Sequence, residues 1–208
     1  MQLRTLFDKI TIAILVFASG TLAHAQDVWS FPDFSATQVF ESRRGNMSTK
    51  VYLSSDSVRV DRGPALSTLY MPSQRKVYNF TTYPDKSHQC VVMKPEQAKM
   101  LPSPLELLQG SHLTRTITGM EVVEGHPSRI ETVVVTRPDG KTIESKVWEA
   151  QDLQGIPVRI ESHIGDITLS AVYRDISIET PDRSLFLIPD KCTPFEKMGQ
   201  VVEQKILR

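Results

Sequence analysis

Cys90 is the side chain in this 208-residue chain best placed for reactive chemistry. A cysteine nucleophile needs a histidine base nearby, and His88 projects from the same side of the same predicted strand. The same pair could begin a zinc site, but no second pair of ligands stands near it in sequence. The other histidines that follow the leader are His112, His126 and His163, and none has a histidine partner at helical i, i+4 spacing. We therefore predict no metal site.

Serine chemistry is also not indicated. The chain has no Gly-x-Ser-x-Gly motif, and Ser73 to Lys76 is its one match to the Ser-x-x-Lys pattern of β-lactamase-like enzymes. That pattern requires a helix, whereas Pro72 places this match in a hairpin turn. No glycine-rich phosphate loop follows a strand. We expect no catalytic residue, no enzymatic activity and no cofactor.

The first 25 residues have the features of an export signal. Arg4 and Lys9 precede a 13-residue apolar run, 10–22, which is shorter than the roughly 20 residues of a membrane-spanning helix. The run ends in Ala23-His24-Ala25, a small-x-small pattern that signal peptidase accepts. The sequence predicts cleavage between Ala25 and Gln26, leaving one domain, 26–208, with no membrane span.

The predicted mature chain is almost neutral. Loss of the leader leaves 22 basic and 23 acidic residues, a formal charge of −1. A neutral domain has no long-range field that gathers phosphates, so nucleic acid is not an expected partner.

Both cysteines lie in the predicted mature chain. An even number of cysteines in an exported protein favours a disulfide, here between Cys90 and Cys192. Two buried free thiols, or one reactive thiol, are the alternatives.

Apolar and polar residues alternate with period two from residue 35 onward, which is the pattern of strands. Short turns such as Glu124-Gly125 and Asp139-Gly140 separate these runs, and short connections join antiparallel neighbours. We therefore predict a mainly β fold: a strongly curved antiparallel meander that forms an unclosed barrel. Two helices are predicted, one over 104–109 and an amphipathic one at the C-terminus with Phe195, Met198, Val202 and Ile206 on its apolar face.

One face of this sheet is predicted to be apolar. About ten strands form a large sheet that tends to curl, and two short helices supply few side chains to fill its hollow. The hollow is therefore a candidate site for an apolar ligand. The candidate lining residues are Val58, Val60, Val77, Ile143, Val147, Val158 and Ile160.

The second half of the chain resembles a known family. Gly125-His126-Pro127, the stretches 147–153 and 155–159, and the closing run 185–189 are similar to periplasmic outer-membrane lipoprotein-sorting proteins. The resemblance implies an unclosed β-barrel with helices over its open side, a periplasmic location, and sheltering of acyl chains or lipoproteins. We therefore expect a lipid or lipoprotein acyl chain as ligand; the alternative is an envelope protein partner and a stress-sensor role without lipid.

Overall fold

The computed structural model describes residues 24–26, 31–40, 46–55, 57–98, 105, 108, 112–136, 140, 142–164 and 167–198. The backbone alone is described for 24–26, 164 and 167. Most of the predicted leader therefore lies outside the described residues. Within them, no helix is both long enough and apolar enough to cross a membrane.

Within the described part of the chain, thirteen strands form one sheet, and its two end strands do not pair with each other. Its spatial order is β1-β8-β9-β10-β11-β12-β2-β3-β4-β5-β6-β7-β13. Neighbours are antiparallel, apart from the parallel pair of β13 with β7. The strands are β1 His24–Gln26, β2 Phe34–Phe40, β3 Met47–Ser54, β4 Ser57–Asp61, β5 Leu66–Met71, β6 Lys76–Thr82, β7 His88–Met93, β8 Leu113–Val123, β9 His126–Thr136, β10 Thr142–Ala150, β11 Pro157–Ile164, β12 Ile167–Ser177 and β13 Thr193–Pro194. The prediction of a mainly antiparallel, unclosed β fold is confirmed.

Chain order and spatial order differ at three junctions, β1 with β8, β12 with β2, and β7 with β13. The β8–β12 meander lies between β1 and β2 in the sheet, so that β12 pairs with β2. Strands β3 to β7 follow β2 in chain order. This arrangement leaves β1 and β13 at the two edges of the sheet. The long connection between β7 and β8 carries Leu105 and Leu108.

The two predicted helices are not confirmed. Leu105 and Leu108 are helical, but the rest of 104–109 lies outside the described residues. At the C-terminus, Phe195–Lys197 forms a single 3-10 turn, and the residues after Met198 are not described. The other described helical segments are 3-10 turns of three or four residues, at Pro72–Gln74, Pro95–Gln97, Gln151–Leu153 and Arg183–Phe186.

The sheet has an inner face, defined here as the side that carries the largest apolar cluster. Residues that pair directly across antiparallel strands project to the same side, so the registers trace rows on this face. One row crosses six strands and consists of Phe34, Leu53, Val58, Tyr70, Val77 and Met93. Leu105 and Leu108 belong to the same cluster and are 0% exposed.

The opposite, outer face carries two smaller clusters. Over β5 to β7, Leu69, Tyr78 and Cys90 pack against the chain around Phe186 and Ile188. Over β10 and β11, Trp148, Ala150 and Val158 form the second cluster with Val123. The C-terminal segment covers the first of these clusters and is joined to it covalently.

Candidate functional site

The structure brings most of the predicted lining residues to one face. Val58, Val60, Val147 and Ile160 belong to the inner-face cluster and are buried. Val77 lies in the row that contains Val58, and Ile143 pairs with Val135 of the cluster. Six of the seven predicted residues therefore lie on the inner face. Whether they bind a ligand stays a prediction.

Val158 is placed differently. The register between β10 and β11 shifts at this point: Trp148 pairs with Arg159, whereas Glu149 pairs with Pro157. Val158 is the extra residue of a β-bulge, which breaks the simple alternation of side chains. It packs with Trp148 and Ala150 in an outer-face cluster instead of beside Ile160. The expected alternation along β11 was wrong at this residue.

The chain itself covers part of the inner face. Leu105 and Leu108, from the connection between β7 and β8, are fully buried in the cluster that contains Val58, Val147 and Ile160. These leucines occupy part of the hollow in which an apolar ligand was expected. A ligand on this part of the sheet must therefore displace them.

A closed ring of four charges lies on the same face beside this cluster. We call it the glutamate–arginine ring; it consists of Arg115, Arg129, Glu131 and Glu149. Arg115 donates from Nε to Glu131 Oε2 at 2.5 Å and from Nη2 to Glu149 Oε1 at 2.6 Å. Arg129 donates from Nη2 to Glu149 Oε2 at 2.8 Å, and its Nε lies 2.7 Å from Glu131 Oε1 outside hydrogen-bonding geometry. Each guanidinium thus bridges both carboxylates.

Strand pairing sets the geometry of this ring. Glu131 pairs with Val147, and Arg129 pairs with Glu149, so these side chains share the inner face. Arg115 pairs with Val133, which places it on that face as well. The two glutamate side chains are 3% exposed, while those of Arg115 and Arg129 are 16% and 36% exposed.

In the ring, the positive charges of the two arginines balance the negative charges of two carboxylates that are largely shielded from water. Burial raises the pKa of Glu149, and the nearby guanidinium groups of Arg115 and Arg129 oppose that rise. The hydrogen bond to Glu149 raises the pKa of Arg129, so this side chain stays protonated. All four carboxylate oxygens lie within 2.8 Å of a guanidinium nitrogen. The ring is electrically balanced and holds β8, β9 and β10 together.

Sequence reasoning missed this ring, although the sequence contains a signal for it. Arg129 and Glu131 alternate with the side chains of β9 that point outward, and continue the row of the buried Val133 and Val135. Charged residues on the apolar side of a strand indicate a buried ion pair. Which partners they have depends on the strand pairing.

A buried polar trio lies further along the inner face. Gln38 donates from Nε2 to the hydroxyl oxygen of Tyr173 at 2.8 Å. Its Oε1 accepts a hydrogen bond from Thr49 Oγ1 at 3.2 Å. Gln38 is fully buried, and these bonds satisfy an amide that burial would otherwise leave without water.

Cys90 and Cys192 form the disulfide that the sequence predicts, with a sequence separation of 102. Neither cysteine is therefore a thiol nucleophile in this structure. Ser73 lies in a 3-10 turn and Lys76 begins the next strand, so the Ser-x-x-Lys match is not helical. Among the described residues, no group of three or more histidine, cysteine or acidic side chains is arranged to hold a metal.

One surface depression lies away from the inner face. Its volume is about 640 Å³, and it is bounded by residues of the β6–β7 turn. Tyr83, Asp85 and His88 are among them, and all three are exposed. It does not coincide with the predicted lining residues.

Comparison with known proteins gives structural neighbours only. No protein-family model matches the sequence, and no curated protein matches it. The chain is similar to a LolA superfamily protein of Nitrosomonas europaea, with 10% identity, a TM-score of 0.41, and coverage of 77% of this chain and 92% of that one. The solved structures that resemble this chain also include a putative outer-membrane lipoprotein-sorting protein domain of Vibrio parahaemolyticus, with 10% identity, a TM-score of 0.36, and coverage of 76% of this chain and 91% of that one.

Two further neighbours are longer than this chain. The MucA/MucB complex of Pseudomonas aeruginosa matches at 14% identity and a TM-score of 0.42, over 77% of this chain and 57% of that one. PNGF-II matches at 12% identity and a TM-score of 0.45, over 86% of this chain but 33% of that one. The chain therefore spans about a third of PNGF-II and somewhat more than half of the matched chain in the complex.

Proposed function

We propose that this protein is a non-enzymatic binding protein of the cell envelope that receives an apolar chain on the inner face of its sheet. The observation that supports the proposal is the arrangement of Leu105 and Leu108. Among the described residues, two leucines from the connection between β7 and β8 pack in the cluster of a broad apolar face. An acyl chain of a lipid or lipoprotein offers the same type of surface as these leucines.

Binding would proceed by exchange. The ligand replaces Leu105 and Leu108 against Val58, Val147 and Ile160, so that the apolar area removed from water changes little. Affinity then depends on the free energy of moving the connection between β7 and β8, as well as on the ligand itself. The predicted export signal and the resemblance of the sequence to lipoprotein-sorting proteins support a periplasmic site of action.

The test combines copurification with a probe of the hollow. Native mass spectrometry of the purified protein is expected to detect bound lipid. In the double variant Leu105→Ala/Leu108→Ala, removal of the two side chains opens space, and N-phenyl-1-naphthylamine fluorescence is expected to rise several-fold. Each substitution should destabilise the fold by about 2–5 kcal/mol, so a matched control is needed.

Leu69→Ala is that control. Leu69 is also fully buried, but it lies in the outer-face cluster and not on the inner face. A comparable loss of stability without a gain in dye fluorescence is expected. The proposal is abandoned if no lipid copurifies and the double variant binds no more dye than Leu69→Ala.

Recognition of a polypeptide without any lipid is a second candidate, because the burial of Leu105 and Leu108 leaves part of the hollow already filled. In that case, pull-down yields one protein in stoichiometric amount and mass spectrometry finds no lipid.

A further inference from the structure

The glutamate–arginine ring lies directly beside the apolar cluster that the proposed function assigns to the ligand. Glu131 pairs across the sheet with Val147, and Arg115 pairs with Val133. Both valines belong to the cluster of the inner face. Directly paired side chains have Cβ atoms about 5 Å apart. An apolar chain bound against these valines therefore comes within reach of the ring.

The four side chains of the ring are not equally accessible. Both glutamate side chains are buried, whereas that of Arg129 is the most exposed of the four. The carboxylates therefore lie on the shielded side of the ring, and its accessible side consists of guanidinium N–H groups. A ligand that approaches the ring meets hydrogen-bond donors.

Arg129 has donors that the ring does not use. Its Nη2 donates to Glu149 Oε2, and its Nε lies beside Glu131 Oε1. These two nitrogens form one edge of the planar guanidinium, which leaves Nη1 on another edge. Among the described residues, Nη1 has no hydrogen-bond acceptor, and unlike Nε it is not buried. Both N–H groups of Nη1 are therefore available to a ligand.

The charge balance of the ring selects the kind of acceptor. An anionic group would contact Arg129 but would also approach two carboxylates. A cationic group would compete with arginines that already lie against all four carboxylate oxygens. A neutral carbonyl oxygen accepts a hydrogen bond from Nη1 and leaves the balance of two arginines and two glutamates unchanged. Such a bond is charge-assisted, because its donor is ionised.

We propose that Arg129 Nη1 binds the carbonyl oxygen of the ester or amide that attaches the acyl chain to the rest of the ligand. This inference rests on the proposed function and adds a polar contact to it. The acyl chain lies against the apolar cluster, and its carbonyl group lies at the ring. An ester would come from a lipid and an amide from an N-acylated polypeptide; both present the same acceptor to an arginine.

The test compares amphiphiles with tails of equal length by isothermal titration calorimetry, below the concentration at which each forms micelles. Sucrose monodecanoate carries an ester carbonyl, decanoyl-N-methylglucamide carries an amide carbonyl, and decyl glucoside has no carbonyl. All three are uncharged. The dissociation constant of at least one carbonyl compound is expected to be lower than that of decyl glucoside by about tenfold or more. Tighter binding of the ester indicates a lipid as the source, and tighter binding of the amide indicates an acylated polypeptide.

A variant with balanced charge tests the role of Arg129. Arg129→Met/Glu149→Gln removes the available donor together with one carboxylate, while Arg115 still donates to Glu131. The preference for carbonyl compounds should disappear, and the affinity for decyl glucoside should remain. The matched control is Arg174→Met/Glu124→Gln, which removes an ion pair of the same composition outside the ring. This control should keep the preference.

Equal affinity for the three uncharged amphiphiles, or a preference that Arg129→Met/Glu149→Gln retains, would overturn the role of Arg129 and leave the binding of an apolar chain intact. Tighter binding of decanoate than of either carbonyl compound would also overturn it, because the ring would then favour an anion. If no amphiphile binds, the proposed function fails as well. The amphiphile series uses the wild-type protein, so it remains decisive even if the ring variant unfolds.

Discussion

The two ends of the sheet are stabilised by different means. At the β5–β7 end, the Cys90–Cys192 disulfide fastens the C-terminal segment over an apolar outer face. At the β8–β10 end, the glutamate–arginine ring ties three strands together from the inner face. A covalent link acts mainly by restricting the unfolded chain, whereas a buried ion ring acts in the folded state and requires desolvation.

Both edges of the sheet are bordered by short strands. The disulfide end is bordered by β13 and covered on its outer face by residues around Phe186. The ring end is bordered by β1, which covers three residues of an eleven-residue strand. β13 likewise pairs with two of the six residues of β7, so the described residues cover neither edge strand along its whole length, and the two ends differ in how their faces are held. The following experiments test how each end is stabilised.

The largest effect is expected from the disulfide. Cys90→Ala/Cys192→Ala removes a cross-link with a sequence separation of 102. A loop of about 100 residues corresponds to about 4–5 kcal/mol in the chain-entropy model. Urea unfolding should show this loss, and hydrogen exchange should increase in β5 to β7. Faster exchange in β8 to β10 without a change in β5 to β7 would contradict the assignment of the disulfide to that end.

A slightly smaller effect is expected from opening the ring. Arg115→Met leaves Glu131 and Glu149 buried with one guanidinium, at a cost of about 3–5 kcal/mol. The exposed pair of Arg75 and Glu96 provides a control, because Arg75→Met should cost about 0–1 kcal/mol.

A companion variant tests whether the unbalanced charge causes the loss of stability. Adding Glu131→Gln to Arg115→Met restores a balance of one arginine and one carboxylate, and part of the lost stability should return. If the double variant is less stable than Arg115→Met alone, uncompensated charge is not the cause of the loss.

The smallest expected effect is a change with pH in the contribution of Glu149 to the unfolding free energy. Because the pKa of Glu149 is raised in the folded protein, the folded state binds more protons than the unfolded state above the ordinary value of 4.5. The contribution of this carboxyl to stability is therefore fully present below pH 4.5 and is lost as the pH rises through its folded pKa. The unfolding free energy of the wild type minus that of Glu149→Gln should fall as the pH rises. A difference that grows with pH would show that the arginines outweigh burial.

The strands themselves were largely predictable. Alternation and turn residues predict strands over 66–71, 76–82, 88–93, 113–123 and 142–150, and these are the bounds of β5, β6, β7, β8 and β10 in the structure. Alternation and turn chemistry are local, so they can be recognised before any partner strand is known. The two predicted helices differ from the strands in this respect, because each prediction rests on a short motif. Neither helix is confirmed.

The candidate site was predictable in part. The apolar side of each strand follows from alternation, and this placed Val58, Val60, Val147 and Ile160 on one face. The position of Val158 was not predictable in this way, because the bulge arises from the match between β10 and β11. The occupation of the inner face by Leu105 and Leu108 likewise depends on where a long connection crosses the sheet.

The bounds of most strands and the apolar side of most strands follow from the amino-acid sequence alone, since both depend on neighbours along the chain. The sequence also indicated the disulfide, through an even cysteine count and a predicted export signal. Only the tertiary structure shows that Arg115, Arg129, Glu131 and Glu149 form a ring, and that β12 pairs with β2 in the middle of the sheet. Those features depend on which strands become neighbours in the sheet, and contacts between residues far apart in sequence determine that order.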